Sequence, residues 1–174
     1  NLATLGISAN NVTGVLPSEI GNLTSLEVLS LSANRISGVI PSSIGSVLRL
    51  TALDLSNNQL SSSLPSSIGF LSRLQNLMLS SNELRGALPA VMEQLAALRK
   101  ISINTNNLSG SVPAWITSMT HLLELDVSKN KLTGTVPPAI GNLTMLDTLS
   151  LASNSISGGL PTSVGLLTSV RHLS

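Results

Sequence analysis

The chain has 174 residues, of which 42% are hydrophobic and 10% are charged, and its formal net charge is +1. This near-neutral balance argues against a nucleic acid or an anionic membrane as the partner, because both require a basic stripe. There is no cysteine, and no apolar run reaches the ~18 residues that a membrane-spanning helix requires. We therefore expect one domain with an aliphatic core and no membrane insertion.

One sequence pattern recurs every 24 residues without an insertion or deletion. Each copy starts with a leucine, has an asparagine eight residues later and a proline seven residues after that. The first column contains Leu2, Leu26, Leu50, Leu74, Leu98, Leu122 and Leu146, and Val170 opens a truncated eighth copy. Because a fixed period of this length is typical of a solenoid, we call each copy a coil, with coil 1 starting at Leu2.

The first element of each coil is an alternating segment such as LDLS at residues 53–56. A period of two predicts a short strand, and one strand per coil predicts a parallel sheet. The inward leucines, for example Leu53 and Leu55, would then stack from coil to coil. This stacking is the predicted core.

A turn follows each strand, at an asparagine and then a glycine. The asparagine column is Asn10, Asn34, Asn58, Asn82, Asn106, Asn130 and Asn154. Because a side-chain amide both donates and accepts, we predict a hydrogen-bonded ladder that satisfies buried backbone groups at the turn. Glycine occupies the next turning position in every full coil except coil 3, which has Ser62.

The last element of each coil is predicted to be one or two turns of helix or 3₁₀-helix, because a second pair of apolar positions recurs three residues apart. Residues 90–100, AVMEQLAALRK, contain more helix formers than the equivalent segments. We expect a more regular helix there. Trp115 lies in the same part of coil 5 and is expected to pack over the helical turn.

The segments ISGVIPSSIG at 36–45, LSGSVP at 108–113 and LTGTVPPAIGNLT at 132–144 resemble the plant-type leucine-rich repeat. The resemblance covers the whole chain and implies an α/β solenoid. In this architecture a right-handed superhelix carries a parallel β-sheet on its concave face and short helical or 3₁₀ segments on its convex side. The family usually has cysteine-paired caps, so we expect one domain over 1–174, with seven full repeats and a truncated eighth, as a segment of a longer array.

Members of this family include ectodomains of receptor-like kinases and receptor-like proteins, inhibitors of polygalacturonases and a few ice-binding proteins. The resemblance implies a non-catalytic extracellular or cell-surface module in plant signalling or defence. Its expected partners are a peptide or protein ligand and a co-receptor of the same family. A secreted polygalacturonase inhibitor and an ice-binding protein stay open as alternatives.

The outward residues of the strands would line the concave face, and most of them are small and polar. Chemical variety is concentrated in the middle of the array. The candidate ligand-binding residues are Asp54, Asn76, Met78, Lys100, Asn104, Glu124, Asp126 and Lys129. Because Lys100 and Glu124 share a column on adjacent strands about 4.8 Å apart, mutual neutralisation is the competing interpretation of that pair.

Asp126 has no cation in its own column, so we expect it to be free to meet a basic group of a ligand. We also expect the replacement of Asp126 by alanine to leave stability nearly unchanged. Met78 has no packing role that the sequence predicts, so apolar contact with a ligand is its expected function. The competing interpretation is that Met78 has no role, because single exposed apolar residues are ordinary.

The sequence does not contain the minimum set of residues that a catalytic site requires. No nucleophile has a base and an orienting group in a recognisable motif, and Asp54 and Asp126 lie three coils apart. No metal-ligand spacing or phosphate-binding glycine loop occurs, so we expect no enzyme activity, no metal and no cofactor. Four glycosylation sequons occur, at Asn11, Asn22, Asn107 and Asn142.

Overall fold

The computed structural model describes residues 1–174 as a right-handed solenoid. One short strand from each coil joins an eight-stranded parallel sheet, in chain order and without a register shift. The strands of this sheet, which we call the concave sheet, are Thr4–Gly6, Val28–Ser30, Ala52–Asp54, Asn76–Met78, Lys100–Ser102, Glu124–Asp126, Thr148–Ser150 and His172–Leu173. The predicted fold class is confirmed.

A second parallel sheet, which we call the flanking sheet, lies after the asparagine turn. Its strands are Thr13–Val15, Arg35–Gly38, Gln59–Ser62, Glu83–Gly86 and Asn107–Leu108. It ends at coil 5, beyond which only an isolated bridge joins Ser111 to Thr133. The two sheets therefore differ in extent, because the concave sheet continues through all the coils.

A 3₁₀-helix completes each of the first seven coils. The helices are Ser18–Asn22, Ser42–Ser46, Ser66–Phe70, Ala90–Gln94, Ala114–Ser118, Ile140–Asn142 and Thr162–Leu166. Except in coil 6, a proline with φ between −66° and −71° directly precedes each helix. Its fixed φ suits the turn into a helix, and its missing N–H is not needed there.

The predicted regular helix over 90–100 is wrong. Coil 4 has a five-residue 3₁₀-helix, Ala90–Gln94, of the same length as the helix in most other coils. A longer helix does not fit, because the chain must reach the next strand at Lys100 in register with Asn76. Tertiary spacing thus overrides the helix propensity of this segment.

The core is a single cluster of 39 buried residues, all of them Leu, Ile, Val or Met. They stack in continuous rows, as predicted, so each coil buries its apolar side chains against its two neighbours. Trp115 is only partly buried and packs against this cluster, in agreement with its expected place over the helical turn. No helix of the chain is both long and apolar enough to cross a membrane.

The asparagine ladder is present in all seven coils. Asn82 shows the pattern: its Nδ2 donates to the carbonyls of Leu55 and Leu79 at 3.0 and 3.1 Å, and its Oδ1 accepts from the N–H of Leu60 at 2.9 Å. In coils 2 to 7 each amide therefore joins its own coil to the preceding one, whereas Asn10 in coil 1 bonds only within its own coil. This prediction is confirmed, and it explains why asparagine recurs at this place.

The convex side is not uniform, although the repeat is regular. Glycine precedes the last helical position in coils 1, 2, 3, 6 and 7, whereas coils 4 and 5 have Glu93 and Thr117 there. A Cβ on Gly45 would lie 2.5 Å from the carbonyl oxygen of Ser67, so glycine permits the close stacking of adjacent coils. Contacts between the helices of coils 4, 5 and 6 are sparser than those between the helices of coils 1 to 4.

Ser62 is the one non-glycine residue at the turning position that glycine fills in the other full coils. Its φ is +73°, close to the +76° of Gly86 and the +77° of Gly38. We expect Ser62→Gly to raise the free energy of unfolding by about 0.5 kcal/mol, because relief of the left-handed strain exceeds the added unfolded-state entropy. Urea denaturation measures this gain.

Ser63→Gly is the matched control, because Ser63 is an exposed neighbour without a positive φ. It should lower stability slightly, since only the entropic cost of glycine applies. Stabilisation by both variants, or by neither, would contradict the assignment of strain to Ser62.

Candidate ligand-binding surface

The eight candidate residues lie on four neighbouring coils. In coils 3 to 6 the middle residue of each concave strand, such as Leu77, is buried, so the residues on either side of it point out of the concave face. Asp54 pairs in register with Met78, and Lys100 pairs with Asn76 on one side and Glu124 on the other. The structure therefore brings the predicted residues onto one continuous surface across coils 3 to 6.

Lys100 and Glu124 form the ion pair that the sequence indicated. The Lys100 Nζ lies 2.8 Å from the Glu124 Oε2, and the two side chains are 35% and 31% exposed. A partly exposed pair of this kind contributes about 1 kcal/mol at most. The two charges neutralise one another, so a ligand that uses either charge must compete with its partner.

Asp126 is not free, and that expectation is wrong. Its Oδ1 accepts from the backbone N–H and the hydroxyl of Ser128 at 3.0 and 2.6 Å, and its Oδ2 accepts from the Nδ2 of Asn104 at 2.6 Å. Replacing Asp126 by alanine would leave these donors without their partner. We therefore no longer expect that variant to leave stability unchanged.

The contact with Asp126 also orients Asn104. Because a carboxylate oxygen only accepts, the amide nitrogen of Asn104 must face Asp126, which turns the Asn104 Oδ1 away from it. Asp54 has the equivalent bonds from the N–H and hydroxyl of Ser56, but no amide partner on the preceding coil. Coils 5 and 6 thus present a fixed polar arrangement that coil 3 lacks.

Asn76, Met78 and Lys129 are the candidates whose side chains make no hydrogen bond or ion pair within the protein. Met78 is half-buried between Asp54 and Ser102, its register neighbours, and its thioether faces the concave side. Lys129 is exposed on the turn after the strand of coil 6, where its φ is +52°. Sequence reasoning missed this left-handed position, which recurs in every full coil and also holds Thr105 in coil 5.

The sequons lie away from the concave sheet. Asn22 and Asn142 are exposed at the ends of 3₁₀-helices, Asn11 is exposed in the turn of coil 1, and Asn107 is half-buried in the flanking sheet. Glycans at the first two positions would leave the concave face open. No group of three or more His, Asp or Glu side chains is placed to hold a metal ion.

The family model described as leucine rich repeat matches residues 1–60, 48–108 and 96–156. The chain belongs to the leucine-rich repeat family. The matches overlap and follow one another along the array, as a succession of equivalent coils requires. A comparison of this leucine-rich repeat sequence with curated proteins found no match.

Solved structures of plant receptors share the fold of this leucine-rich repeat chain. One is the plant peptide hormone receptor RGFR1 in complex with RGF2, with 33% identity, a TM-score of 0.96, and coverage of 97% of this chain and 27% of that one. Another is the Arabidopsis receptor kinase HAESA in complex with the peptide hormone IDA and the co-receptor SERK1, with 34% identity, a TM-score of 0.95, and coverage of 98% and 28%. The resemblance to plant receptor ectodomains is therefore confirmed, and the chain spans less than a third of the length of these receptors.

A plant ice-binding protein is also similar in structure. It has 28% identity and a TM-score of 0.83, and the match covers 99% of this chain and 56% of that one. The leucine-rich repeat fold alone therefore does not decide between ligand recognition and ice binding. Ligand recognition and ice binding differ in the side chains that they require on the concave face.

Proposed function

We propose that this chain is a non-catalytic recognition module of a plant receptor-like kinase or receptor-like protein, and that its concave face binds a peptide or protein. The supporting observation is the patch of varied side chains on coils 3 to 6, which we call the central patch. It contains Asp54, Asn76, Met78, Lys100, Asn104, Glu124, Asp126 and Lys129. The patch combines apolar, acidic, basic and amide groups on one sheet.

The concave sheet is suited to recognition because it is rigid before a ligand arrives. Its strands are held in register by backbone hydrogen bonds, and the Asn104–Asp126–Ser128 contacts hold the polar groups of coils 5 and 6. Groups that are already ordered lose little conformational entropy on binding. A ligand that lies across the strands would meet the central patch between two areas of small serine side chains.

The similar receptors indicate the class of ligand and the setting that we propose. RGFR1 is described with the peptide RGF2, and HAESA with the peptide IDA and the co-receptor SERK1. By analogy, we propose an extracellular location, a peptide or protein ligand, and a co-receptor of the same family as a second partner. A signalling or defence role follows from that assignment.

Ice binding is the second candidate, because of the similar plant ice-binding protein and the serines of the concave face. Several of these serines are already bonded to one another: Ser8 contacts Ser30 at 2.8 Å and Ser32 at 3.1 Å, and Ser80 contacts Ser102 at 2.8 Å. Hydroxyls with a protein partner have less capacity to order water. Inhibition of ice recrystallisation by the purified chain would support this alternative against ours.

A secreted inhibitor of polygalacturonase is the remaining alternative. It would also act through protein recognition, so the central patch does not separate it from a receptor. Loss of polygalacturonase activity on addition of the purified chain would favour the inhibitor. The full-length sequence provides an independent test, because a membrane span and a kinase domain after the array would favour the receptor.

We expect Met78→Ala to weaken binding of a peptide ligand by at least about 1 kcal/mol, or about fivefold, because it removes the apolar contact at the centre of the patch. The probe is a random 12-residue peptide library displayed on phage and selected on the wild-type chain. Calorimetric titration of the enriched peptides against the two proteins then measures the loss.

Ser32→Ala is the control, because Ser32 lies on the same face in coil 2, outside the central patch. It should bind within about twofold of the wild type, and denaturation curves should show that both variants are folded. If the selected peptides bind all three proteins equally, or if no peptide is enriched, the central patch is not the recognition surface.

A further inference from the structure

An open depression lies on the flank of the solenoid, outside the concave face. It is lined by Arg85 and Gly86 from coil 4, Asn107 and Ser109 from coil 5, and Lys131 from coil 6, and its volume is about 450 Å³. It occurs where the flanking sheet ends, since the strand of coil 5, Asn107–Leu108, is only two residues long. The volume exceeds the ~30 Å³ of a water molecule many times over, so a hydrated small ion fits.

The side chains around the depression all offer hydrogen-bond donors. Arg85, Asn107, Ser109 and Lys131 line it from three successive coils, and the guanidinium, amide, hydroxyl and ammonium groups of these side chains all carry donors. No carboxylate lines it. An anion is the ligand that such a donor set accommodates.

The two cations have no partner within the protein. The only ion pairs of the chain are Lys100 with Glu124 and Arg171 with Asp147. Glu83 is exposed on the same strand as Arg85 and makes no ion pair with it. Both positive charges are therefore available to an anion bound in the depression.

The hydroxyl of Ser109 supplies an independent observation. In the same column, Ser37, Ser61, Thr133 and Ser157 each donate to a glycine carbonyl of the preceding coil at 3.2 to 3.3 Å. Ser109 makes no such hydrogen bond, although Gly86 precedes it in the equivalent place and accepts from its backbone N–H. Its hydroxyl is therefore free to donate into the depression.

We propose that this depression binds a tetrahedral oxyanion, that is, a sulfate or phosphate group. Arg85 and Lys131 supply the charge, and Asn107 and Ser109 supply neutral donors between them, as anion sites built from basic and amide groups do. Asn107 belongs to a sequon, and a glycan there would fill the depression. The site therefore requires Asn107 to be unmodified.

The test uses the whole chain produced in bacteria, where Asn107 carries no glycan. Sodium sulfate and sodium phosphate are titrated at constant ionic strength, with sodium acetate and sodium chloride as reference salts, and amide chemical shifts are followed by NMR. Chemical shifts are preferable to a melting temperature, because sulfate raises the stability of most proteins without binding. We expect saturable shifts at Asn107, Ser109 and Lys131 with the oxyanions only.

Arg85→Gln and Lys131→Gln should each weaken the affinity at least tenfold. Arg35→Gln is the matched control, because Arg35 holds the same place in coil 2 as Lys131 in coil 6 and is also exposed and unpaired. Titration with phenyl sulfate and phenyl phosphate tests whether the site binds a free ion or a sulfate or phosphate group that belongs to a larger ligand. Tighter binding than the inorganic ion indicates a group carried by a larger ligand, and equal binding indicates the free ion.

Non-saturable shifts, equal shifts in chloride, or unchanged affinity in both the Arg85 and Lys131 variants would overturn the proposal. The spectra also report whether each variant is folded. The depression lies on the flank, so an absence of oxyanion binding there would not affect the function proposed for the concave face.

Discussion

Asn82→Ala is expected to lower the free energy of unfolding by about 2–3 kcal/mol, a large loss for one uncharged side chain. The substitution deprives the carbonyls of Leu55 and Leu79 of their donor and the N–H of Leu60 of its acceptor. These groups are buried between coils 3 and 4, and each buried group left unsatisfied costs about 1–3 kcal/mol. Guanidinium denaturation followed by circular dichroism measures the loss.

Asn10→Ala is the control within the same column. Asn10 is exposed and donates only to carbonyls of its own coil, Ile7 at 3.4 Å and Ser8 at 3.0 Å. Its replacement should cost less than about 0.5 kcal/mol, as surface changes usually do. A loss below about 0.5 kcal/mol at Asn82, or equal losses at the two sites, would contradict the conclusion that the ladder stabilises the fold by joining coils.

Gly45→Ala is expected to destabilise the chain by about 3 kcal/mol, because the added Cβ has no room. It would lie 2.5 Å from the carbonyl oxygen and 2.7 Å from the Cβ of Ser67 on the next coil. The carbonyl belongs to the backbone of a stacked coil, so relief requires coils 2 and 3 to move apart and lose core contacts. The same denaturation experiment measures this effect.

The direction of this result is informative, because helix propensity predicts the opposite. Alanine is better than glycine in a helix by about 1 kcal/mol, so a stabilised Gly45→Ala variant would show that the coils separate easily. Gly165→Ala is the control: Gly165 holds the same place in coil 7, and a Cβ there would have nothing within 4 Å. It should be neutral or slightly stabilising.

The features that recur in every coil are those that the sequence predicted well. The rows of core leucines, the asparagine ladder and the proline before most of the helices follow from the 24-residue period, because each coil solves the same burial and turning problem against neighbours with the same sequence pattern. The concave strands of neighbouring coils pair at equivalent positions, so the period alone determines their register. For the same reason the sequence predicted which strand residues are neighbours across coils, such as Lys100 and Glu124.

The features that differ from coil to coil were decided by the tertiary structure. Residues 90–100 contain strong helix formers, yet only a short 3₁₀-helix fits between two strands whose register is already set. Asp126 has no cation in its column, but the amide of Asn104 on the preceding coil reaches it. The depression beside Arg85 and Lys131 lies where the flanking sheet stops, at coil 5. In each case the outcome depends on how far one side chain or backbone segment reaches toward a different residue on the next coil, and a repeat pattern does not encode that distance.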